Sequence, residues 1–411
     1  MKLRLLIFAL SVVGTAVGLH VYLWRRLVRD TALPPLWRRA AIVLLAGLLL
    51  ALVATLLLRR VLAPGVMRWF AQPVYVWLGL LLLLLTVLAL GEALGVLTWL
   101  TRRLTGEPEA IDPQRRLLLS RLVGGAAVLW AGGAGSFGAR SARAGSRLVT
   151  RRVEVPLAGL PPALDGFRIV LLTDLHIGWS LRRDWLEQVV TRVNALRPDL
   201  IAITGDLVDG SVAELRSDVA PLAALRAVHG SYFCTGNHEY YSGAVAWCEA
   251  VSALGVRVLR NERVTIGTGA ATFDLAGIDD YSSAGFAPGH GPDLPRALHG
   301  RDSQRALVLL AHQPRAVFEA AELGVGLQLS GHTHGGQIWP MTYLVRLQQP
   351  YVAGLVRHQA TWLYVSQGTG FWGPPMRLGT VAEITELTLR APLTGPQGGS
   401  PRQASAERSD R

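Results

Sequence analysis

The stretch Gly331-His332-Thr333-His334-Gly335-Gly336-Gln337 is the most informative part of this chain of 411 residues. Two imidazoles flank one small residue, and neutral imidazole is the commonest side-chain metal ligand. The surrounding glycines allow a tight turn with positive φ, or a close approach to a bound group. Because residues 326–330 are predicted to form a short strand, we expect both histidines on the loop that follows it. A single His-x-His pair is weak support for a metal site, so its weight depends on ligands elsewhere.

Polar clusters follow four more apolar runs, 168–172, 200–203, 231–234 and 306–310, whose composition is typical of buried strands. In chain order the clusters are Asp174-Leu175-His176, Gly205-Asp206, Gly236-Asn237-His238-Glu239 and His312-Gln313-Pro314. In open α/β sheets, binding sites gather at the carboxyl ends of strands. We therefore expect the five clusters to converge on one place.

The types of side chain narrow the chemistry of such a site. Nitrogen and oxygen donors without a thiolate suit manganese, iron, zinc, nickel or cobalt better than soft-metal centres. Two metal ions about 3.5–4 Å apart form a clamp for in-line displacement at phosphorus. Such a pair needs a shared carboxylate, and Asp206 is a good candidate for it.

Each cluster taken alone also has a simpler explanation. Asp174 is a residue type that often caps a helix. Gly205-Asp206 and Gly236-Asn237 are typical of ordinary turns, and His312 is compatible with a buried, hydrogen-bonded histidine. The occurrence of all five clusters in one chain favours the metal site over these separate explanations.

In this order the motifs resemble those of the calcineurin-like metallophosphoesterases. Gly335-Gly336-Gln337, together with Gln313-Pro314, is most similar to the YkuE-type membrane-associated subgroup, which is related to LpxG-type UDP-diacylglucosamine hydrolases. The resemblance covers roughly residues 150–390, and the one small departure is Thr173, where the family more often has serine.

The resemblance implies an α/β fold, a four-layer α-β-β-α double β-sandwich, with a site that holds two divalent metal ions such as manganese, iron or zinc. It implies that a hydroxide between the metals attacks phosphorus and that His238 acts on the leaving group or a phosphoryl oxygen without binding metal. The implied ligands of one metal are Asp174, His176, His334 and the bridging Asp206. The implied ligands of the other are Asp206, Asn237, His312 and His332.

Two aromatic segments are candidates for substrate contacts. Trp339, just after the histidine pair, is predicted to line the mouth of the cleft. The Gly-, Pro- and aromatic-rich stretch 366–375 is either a substrate loop or a plain surface loop, since specificity often resides in loops on a rigid scaffold.

The first part of the chain is predicted to be a transmembrane helical module. Four apolar stretches, 3–23, 40–58, 74–100 and 117–137, approach the length of about 20 residues that spans a bilayer. We expect a membrane module at 1–140, a linker and domain entry at 141–166, the phosphoesterase domain at 167–390 and a disordered tail at 391–411.

Charge gives the expected orientation in the inner or plasma membrane. Arginines crowd the first connection (25–39) and the third (102–116), and the positive-inside rule places both in the cytoplasm. With four spans the phosphoesterase domain then faces outward. Arg59, Arg60 and Arg68 oppose this orientation, as does the arginine-rich stretch from Arg140 to Arg152 after the last span. The formal net charge of +12 comes almost wholly from arginine beside the membrane segments, because Lys2 is the only lysine. It indicates topology and attraction to anionic lipid rather than binding of nucleic acid, and no protein partner is evident.

The predicted function is hydrolysis of a phosphoester or pyrophosphate, with a lipid-linked substrate such as UDP-2,3-diacylglucosamine as one precedent. That precedent acts at the cytoplasmic face, in conflict with the expected orientation. One alternative is a cell-envelope phosphomonoesterase or phosphodiesterase that acts on small molecules or cell-wall polymers. An alternative of another class is a membrane scaffold or sensor without turnover.

Overall fold

The computed structural model describes residues 2–58, 64–106, 112–142, 148–286 and 289–392. The helices in these ranges are α1 (Lys2–Leu23), α2 (Pro35–Leu58), α3 (Pro64–Thr105), α4 (Pro113–Ala142), α5 (Arg183–Ala195), α6 (Val212–Val219), α7 (Asn237–Ser242), α8 (Ala244–Ala253), α9 (Leu294–Leu298), α10 (Val317–Glu322) and α11 (Met341–Val345). The strands are β1 (Leu148–Pro156), β2 (Arg168–Leu172), β3 (Leu200–Thr204), β4 (Ser231–Cys234), β5 (Arg257–Val258), β6 (Glu262–Thr268), β7 (Ala271–Gly277), β8 (Leu307–Leu310), β9 (Leu327–Ser330), β10 (Gly354–His358), β11 (Thr361–Val365) and β12 (Ala382–Arg390). The disordered tail is predicted to begin at residue 391, and residues 393–411 lie outside the described ranges.

The N-terminal helices α2, α3 and α4 each begin with a proline, whose fixed φ suits the first turn of a helix. Each is long and apolar enough to cross a membrane, over Pro35–Thr55, Trp69–Thr105 and Pro113–Arg140. These helices match three of the four predicted spans in length and composition. The remaining one, α1, is a helix of 22 residues. Because several of its side chains lie outside the described set, its role as a span stays a prediction.

The rest of the chain forms an α/β domain with two six-stranded mixed sheets. The first sheet has the order β1-β12-β2-β3-β4-β5 and the second has the order β10-β11-β9-β8-β7-β6. Both have a parallel centre: β2, β3, β4 and β5 run parallel in the first sheet, and β7, β8, β9 and β11 do so in the second. All the runs predicted as strands before polar clusters are therefore strands, but they belong to two sheets.

Successive side chains along each strand pack into different layers of this domain. In β2, Ile169 and Leu171 pack between the two sheets, whereas Val170 and Leu172 pack beneath the helices on the outer face of the first sheet. Successive side chains of a strand point to opposite faces, and because both faces are buried the strand is apolar throughout. With α9 and α10 on the second sheet, the result is the four-layer α-β-β-α sandwich that was predicted.

Helix α5 illustrates how the outer layers form. Its residues Leu186, Val189, Val190 and Val193 are all buried, at the helical spacing that places them on one face. The helix ends at Ala195, shortly before Pro198, because the residue before a proline disfavours helical backbone. The spacing of its apolar residues therefore accounts for the buried face of the helix, and the proline accounts for its end.

The segment predicted as linker, 141–166, contains a strand. Over its whole length β1 pairs in parallel with β12, from Leu148 opposite Ala382 to Pro156 opposite Arg390. It forms one edge of the first sheet. The first described residues of the α/β domain, from Leu148, therefore belong to a strand.

Helices α3 and α4 contact the α/β domain directly. The ring of Tyr75 in α3 stacks on that of Trp179, with 4.8 Å between centroids. The backbone N–H of Arg377 donates a hydrogen bond of 3.1 Å to the carbonyl oxygen of Gly138 in α4. Met376 packs so closely on Gly79 that an added Cβ there would lie 2.6 Å from its sulfur. The domain thus contacts these helices through Trp179 and through the loop that precedes β12.

Candidate metal centre and active site

The candidate site lies where strands of both sheets end. In the first sheet, β2, β3 and β4 lead into the segments that carry Asp174, Asp206 and Asn237. In the second sheet, β8 and β9 lead into His312 and the 332–334 segment. The structure thus brings all five polar clusters together at the junction between the sheets.

One group of side chains consists of Asp174, His176 and His334. Nε2 of His334 lies 3.3 Å from Oδ1 of Asp174 and 3.1 Å from Nε2 of His176. All three side chains are buried, and each offers one ligand atom within 4.8 Å of the others. Two imidazoles and a carboxylate at these distances can bind a divalent cation.

A second group consists of Asp206, His312 and His332, whose ligand atoms also lie within 4.8 Å of one another. Nε2 of His312 lies 3.1 Å from Oδ2 of Asp206 and 3.3 Å from Nδ1 of His332. Nδ1 of His312 donates to the carbonyl oxygen of Thr204, so Nε2 is the free ligand atom. Asn237 has a buried Oδ1 without a hydrogen-bond partner. A buried amide oxygen normally has a partner, and a metal ion would provide one.

Asp206 is a member of the second group and also lies close to His176 of the first group. The oxygen that lies 3.1 Å from His312 also lies 3.8 Å from Nε2 of His176. Its other oxygen accepts a hydrogen bond of 2.9 Å from the backbone N–H of His238. Because the carboxylate is fixed between the two histidine groups, it is placed to be shared by two cations.

The backbone at the predicted ligands is strained. Five of the seven have positive φ: Asp174 (53°), His176 (45°), Asp206 (52°), His332 (70°) and His334 (50°). A non-glycine residue in this region costs on the order of 1–3 kcal/mol and persists only where the surroundings impose it. Such strain concentrates at functional sites, so its clustering here marks the same residues as the sequence motifs.

The ionisation of the buried carboxyls suits a cation. Burial by itself raises the pKa of Asp174 and of Asp206. The charge of His334 lowers the pKa of Asp174, that of His312 lowers the pKa of Asp206, and both values end below their usual range. Burial and the nearby His312 lower the pKa of His332 to about 4. Aspartate binds a divalent metal in its ionised form, so the lowered pKa values of Asp174 and Asp206 suit this role.

Asp209 connects a proposed ligand with a proposed catalytic residue, and the sequence analysis missed it. Its Oδ1 lies 3.0 Å from Nδ1 of His176 and 2.6 Å from Nδ1 of His238. Burial lowers the pKa of His238, but the charge of Asp206 and the hydrogen bond to Asp209 raise it to about 9. A protonated His238 can act as a general acid.

Glu239 shapes the loops that carry Asp206 and Asn237. Its carboxylate accepts hydrogen bonds from the backbone N–H groups of Asp206, Leu207 and Gly236, at 2.6–2.9 Å. Burial and the charge of Asp206 raise the pKa of Glu239 to about 7. The glutamate that ends the Gly236–Glu239 motif is therefore a support for the loop backbone rather than a ligand.

Arg377 supports the opposite wall of the site. Its buried guanidinium donates to the carbonyl oxygens of Gln367 (2.8 Å) and Val381 (3.0 Å), and it also reaches those of Gly368 and Gly370. Burial lowers the pKa of Arg377 to about 10. The hydrogen bonds of Arg377 thereby fix the 366–375 stretch, which follows β11. Within this stretch Gly368 lies beside His334 and Trp372 lies beside His238.

A cavity of about 530 Å³ opens onto the cluster. Trp372, from the 366–375 stretch, lines it and lies 5.8 Å from His238 between ring centroids. Trp339, predicted to line the mouth, is not among the residues that line this cavity. Its ring packs edge-on against Trp130 of α4, and its neighbour Ile338 lines the cavity instead.

The family follows from comparison with known proteins. Residues 167–336 match the model of the calcineurin-like phosphoesterases. A transmembrane protein with metallophosphoesterase domain from Bos taurus is 46% identical over 250 residues, 58% of this chain and 56% of that protein. An uncharacterized metallophosphoesterase of Aquifex aeolicus is 33% identical over 225 residues, 54% of this chain and 85% of that protein. The uncharacterized metallophosphoesterase YkuE of Bacillus subtilis is 31% identical over 240 residues, 56% of this chain and 82% of that protein.

This chain belongs to the calcineurin-like metallophosphoesterase family, as its motifs predict. Its similarity to YkuE confirms the predicted likeness to that type. The match spans little more than half the length of the transmembrane relatives, 56% in both the Bos taurus and the Danio rerio proteins.

Proposed function

We propose that the protein is a membrane-anchored phosphoesterase that uses two divalent metal ions to hydrolyse phosphoester or pyrophosphate bonds. The observation that carries the proposal is the position of Asp206, with one oxygen 3.1 Å from His312 and 3.8 Å from His176. Paired metal ions that share a carboxylate suit in-line displacement at phosphorus. The absence of thiolate from the donor set favours manganese, iron or zinc.

The proposed ligands follow the two groups of side chains. Asp174, His176, His334 and Asp206 would hold one ion, and Asp206, Asn237, His312 and His332 would hold the other. The buried Oδ1 of Asn237, without a partner in the protein, supports its place in the second set. Bound ions would polarise the phosphoryl oxygens and bring the pKa of the attacking water near neutrality.

His238 is the proposed general acid. Its Nδ1 is held by Asp209, while its Nε2 lies 3.9 Å from Oδ2 of Asp206 and faces the cluster. As the water oxygen bonds to phosphorus, the bond from phosphorus to the leaving oxygen breaks with its electron pair. His238 donates its proton to that oxygen and recovers one from the proton released by the water. Asp209 stabilises the imidazolium before this transfer.

Contacts among the membrane helices support an outward-facing domain. Arg121, near the start of α4, donates to the carbonyl oxygen of Thr31, so the first arginine-rich connection lies at this end of α4. The α/β domain contacts α4 at Gly138. Those positions lie about 25 Å apart along the helix at 1.5 Å per residue. If the arginine-rich end is cytoplasmic, the phosphoesterase domain lies on the other side.

The finer proposal is a lipid-linked substrate. The site lies in a domain docked on apolar helices, so a substrate held in the bilayer reaches it without leaving the membrane. Soluble phosphoesters of the cell envelope remain the alternative, and they need no contact with these helices.

The test uses the purified full-length protein in detergent with bis(p-nitrophenyl) phosphate. We expect turnover that chelation abolishes and Mn²⁺ restores. Release of p-nitrophenol measures it, and a variant with Asp174→Ala serves as the inactive control. No turnover in a metal-loaded protein would instead support the scaffold or sensor.

A further inference from the structure

The active-site cavity has two chemically different ends. One end is formed by the metal-ligand side chains and His238. The other end is mostly apolar. It includes Leu82, Ile338, Met341, Val345 and Pro374, and Gln337 and Gln348 also line the cavity. A phosphoester needs only the first end, since an apolar wall cannot compensate the desolvation of a charged group. The second end therefore matches an apolar part of the substrate.

Part of this apolar wall is a membrane helix. Leu82 lies in α3, within the candidate span Trp69–Thr105. At 1.5 Å per residue the 42 residues of α3 extend over about 63 Å, about twice the hydrocarbon core of a bilayer. One part of α3 can cross the bilayer while another lies against the α/β domain. A hydrocarbon chain beside Leu82 thus remains in contact with the helix that crosses the membrane.

Helix α11 also lines the cavity and has apolar side chains on both of its faces. Met341 and Val345 line the cavity, whereas Tyr343 and Leu344 point outward and are 60% and 53% exposed. Leu347, just after the helix, is 84% exposed. Exposed large apolar side chains on one short segment favour contact with a membrane or a partner, although the exposed Arg346 lies among them. The adjacent Trp339 packs on Trp130 of α4, and because α4 is itself a candidate span, a membrane surface is favoured.

We propose that the apolar end of the cavity, between Leu82 of α3 and Met341 of α11, binds the hydrocarbon chain of a membrane-lipid phosphoester. This inference rests on the proposed phosphoesterase function with a lipid-linked substrate, and it adds the residues that recognise the hydrocarbon chain. The membrane helix is then a wall of the substrate site as well as an anchor. The chain lies along α3 while the phosphoester reaches the metal ligands.

The test compares two substrates with the same reacting bond. Methyl p-nitrophenyl phosphate and hexadecyl p-nitrophenyl phosphate differ only in the chain, and both release p-nitrophenol. The full-length protein is assayed with both at one detergent concentration. Each buried methylene contributes about fourfold in binding, so we expect kcat/KM for the hexadecyl ester to exceed that for the methyl ester by at least about tenfold.

Substitutions at the two walls locate the chain. Leu82→Trp fills the apolar end and should lower the hexadecyl-to-methyl ratio of kcat/KM by about tenfold or more. Met341→Trp should fill the same space from α11 and lower the ratio in the same way. It tests the chain site if the Leu82→Trp variant fails to fold. The matched control is Leu90→Trp on the exposed face of α3, where the side chain is 56% exposed. It should leave the ratio unchanged.

The outcomes distinguish a failure of the chain site from a failure of the proposed phosphoesterase function. Equal kcat/KM for the two esters in the unmodified protein would overturn the chain site and leave the phosphoesterase intact. An unchanged ratio in both tryptophan variants would also overturn it. No metal-dependent turnover of either ester would contradict the phosphoesterase function itself.

Discussion

Nδ1 of His238 and Nδ1 of His176 lie 2.6 Å and 3.0 Å from the same carboxylate oxygen, Oδ1 of Asp209. Their rings are nearly perpendicular, with centroids 4.7 Å apart. One aspartate thus orients both the proposed general acid and a proposed metal ligand, and it directs Nε2 of each ring into the site. Partners behind a ligand fix its tautomer and its direction.

The role of His238 predicts a loss of rate without loss of metal. His238→Ala should lower kcat for an aryl phosphodiester by about 10²–10⁴-fold, the usual contribution of a positioned proton donor. Metal analysis of the purified variant should match that of the unmodified protein. His358→Ala, at a histidine that bonds Tyr351 outside the site, is the control. Metal loss in the His238 variant would show that it is a ligand instead.

Asp209→Asn should affect both metal binding and rate. The amide cannot hold two imidazoles through one anionic oxygen, so we expect each quantity to fall by about 10–100-fold, as for other residues behind metal ligands. Titration with Mn²⁺, followed by activity, gives the metal affinity from the midpoint and the rate from the plateau. Asp184→Asn in the first turn of α5, at an exposed carboxylate, should change neither. A variant with unchanged metal affinity would contradict the link from Asp209 to His176.

Gly331→Ala should displace the carboxylate of Asp174. A Cβ at Gly331 would overlap Oδ2 of Asp174 and Oγ1 of Thr173, both in fully buried residues. A displacement of about 1 Å in a site of this kind costs about 10²-fold in kcat. The matched control is Gly285→Ala, where an added Cβ meets no described atom within 4 Å. Equal activity of the two variants would mean that Asp174 is not held as the structure shows.

Arg377 is predicted to matter for stability more than for chemistry. Arg377→Lys removes the fork that binds several carbonyl oxygens around 367–381, and each lost bond to a charged donor costs about 1.5–3 kcal/mol. At about 2–4 °C per kcal/mol for a domain of this size, the loss of one such bond lowers Tm by roughly 3–12 °C. Thermal unfolding followed by tryptophan fluorescence measures it, with Arg357→Lys as the exposed control. A Tm within one degree of the unmodified protein would refute the structural role.

The sequence predicts the strands that lead to the site because each is an apolar run that ends in polar or glycine residues. It also predicts the residues that meet there, since motifs such as Gly236–Glu239 combine tight turns with ligand side chains. The sequences of β2 and β8 do not predict that these strands belong to different sheets. Each strand is equally apolar on its two faces, so nothing in its pattern distinguishes one sheet from the other.

Other parts of the site depend on contacts that a linear pattern does not contain. Asp209 lies three residues after Asp206, and this short spacing within one loop is the only signal of its role. Arg377 acts through backbone carbonyls, which every residue possesses, so its partners cannot be read from side chains. Trp339 packs on Trp130 because the domain contacts α4, and this tertiary contact joins segments that are distant in the sequence.

The shared carboxylate of Asp206 is tested most directly by the metal content of the purified protein after loading with Mn²⁺ and removal of excess ion. Mass spectrometry of the metal against protein concentration should give two equivalents per chain. His334→Ala and His332→Ala should each retain about one, whereas Asp206→Ala should retain less than one because both ions lose a ligand. A single equivalent in the unmodified protein, or two equivalents in Asp206→Ala, would contradict the shared carboxylate on which the proposed function depends.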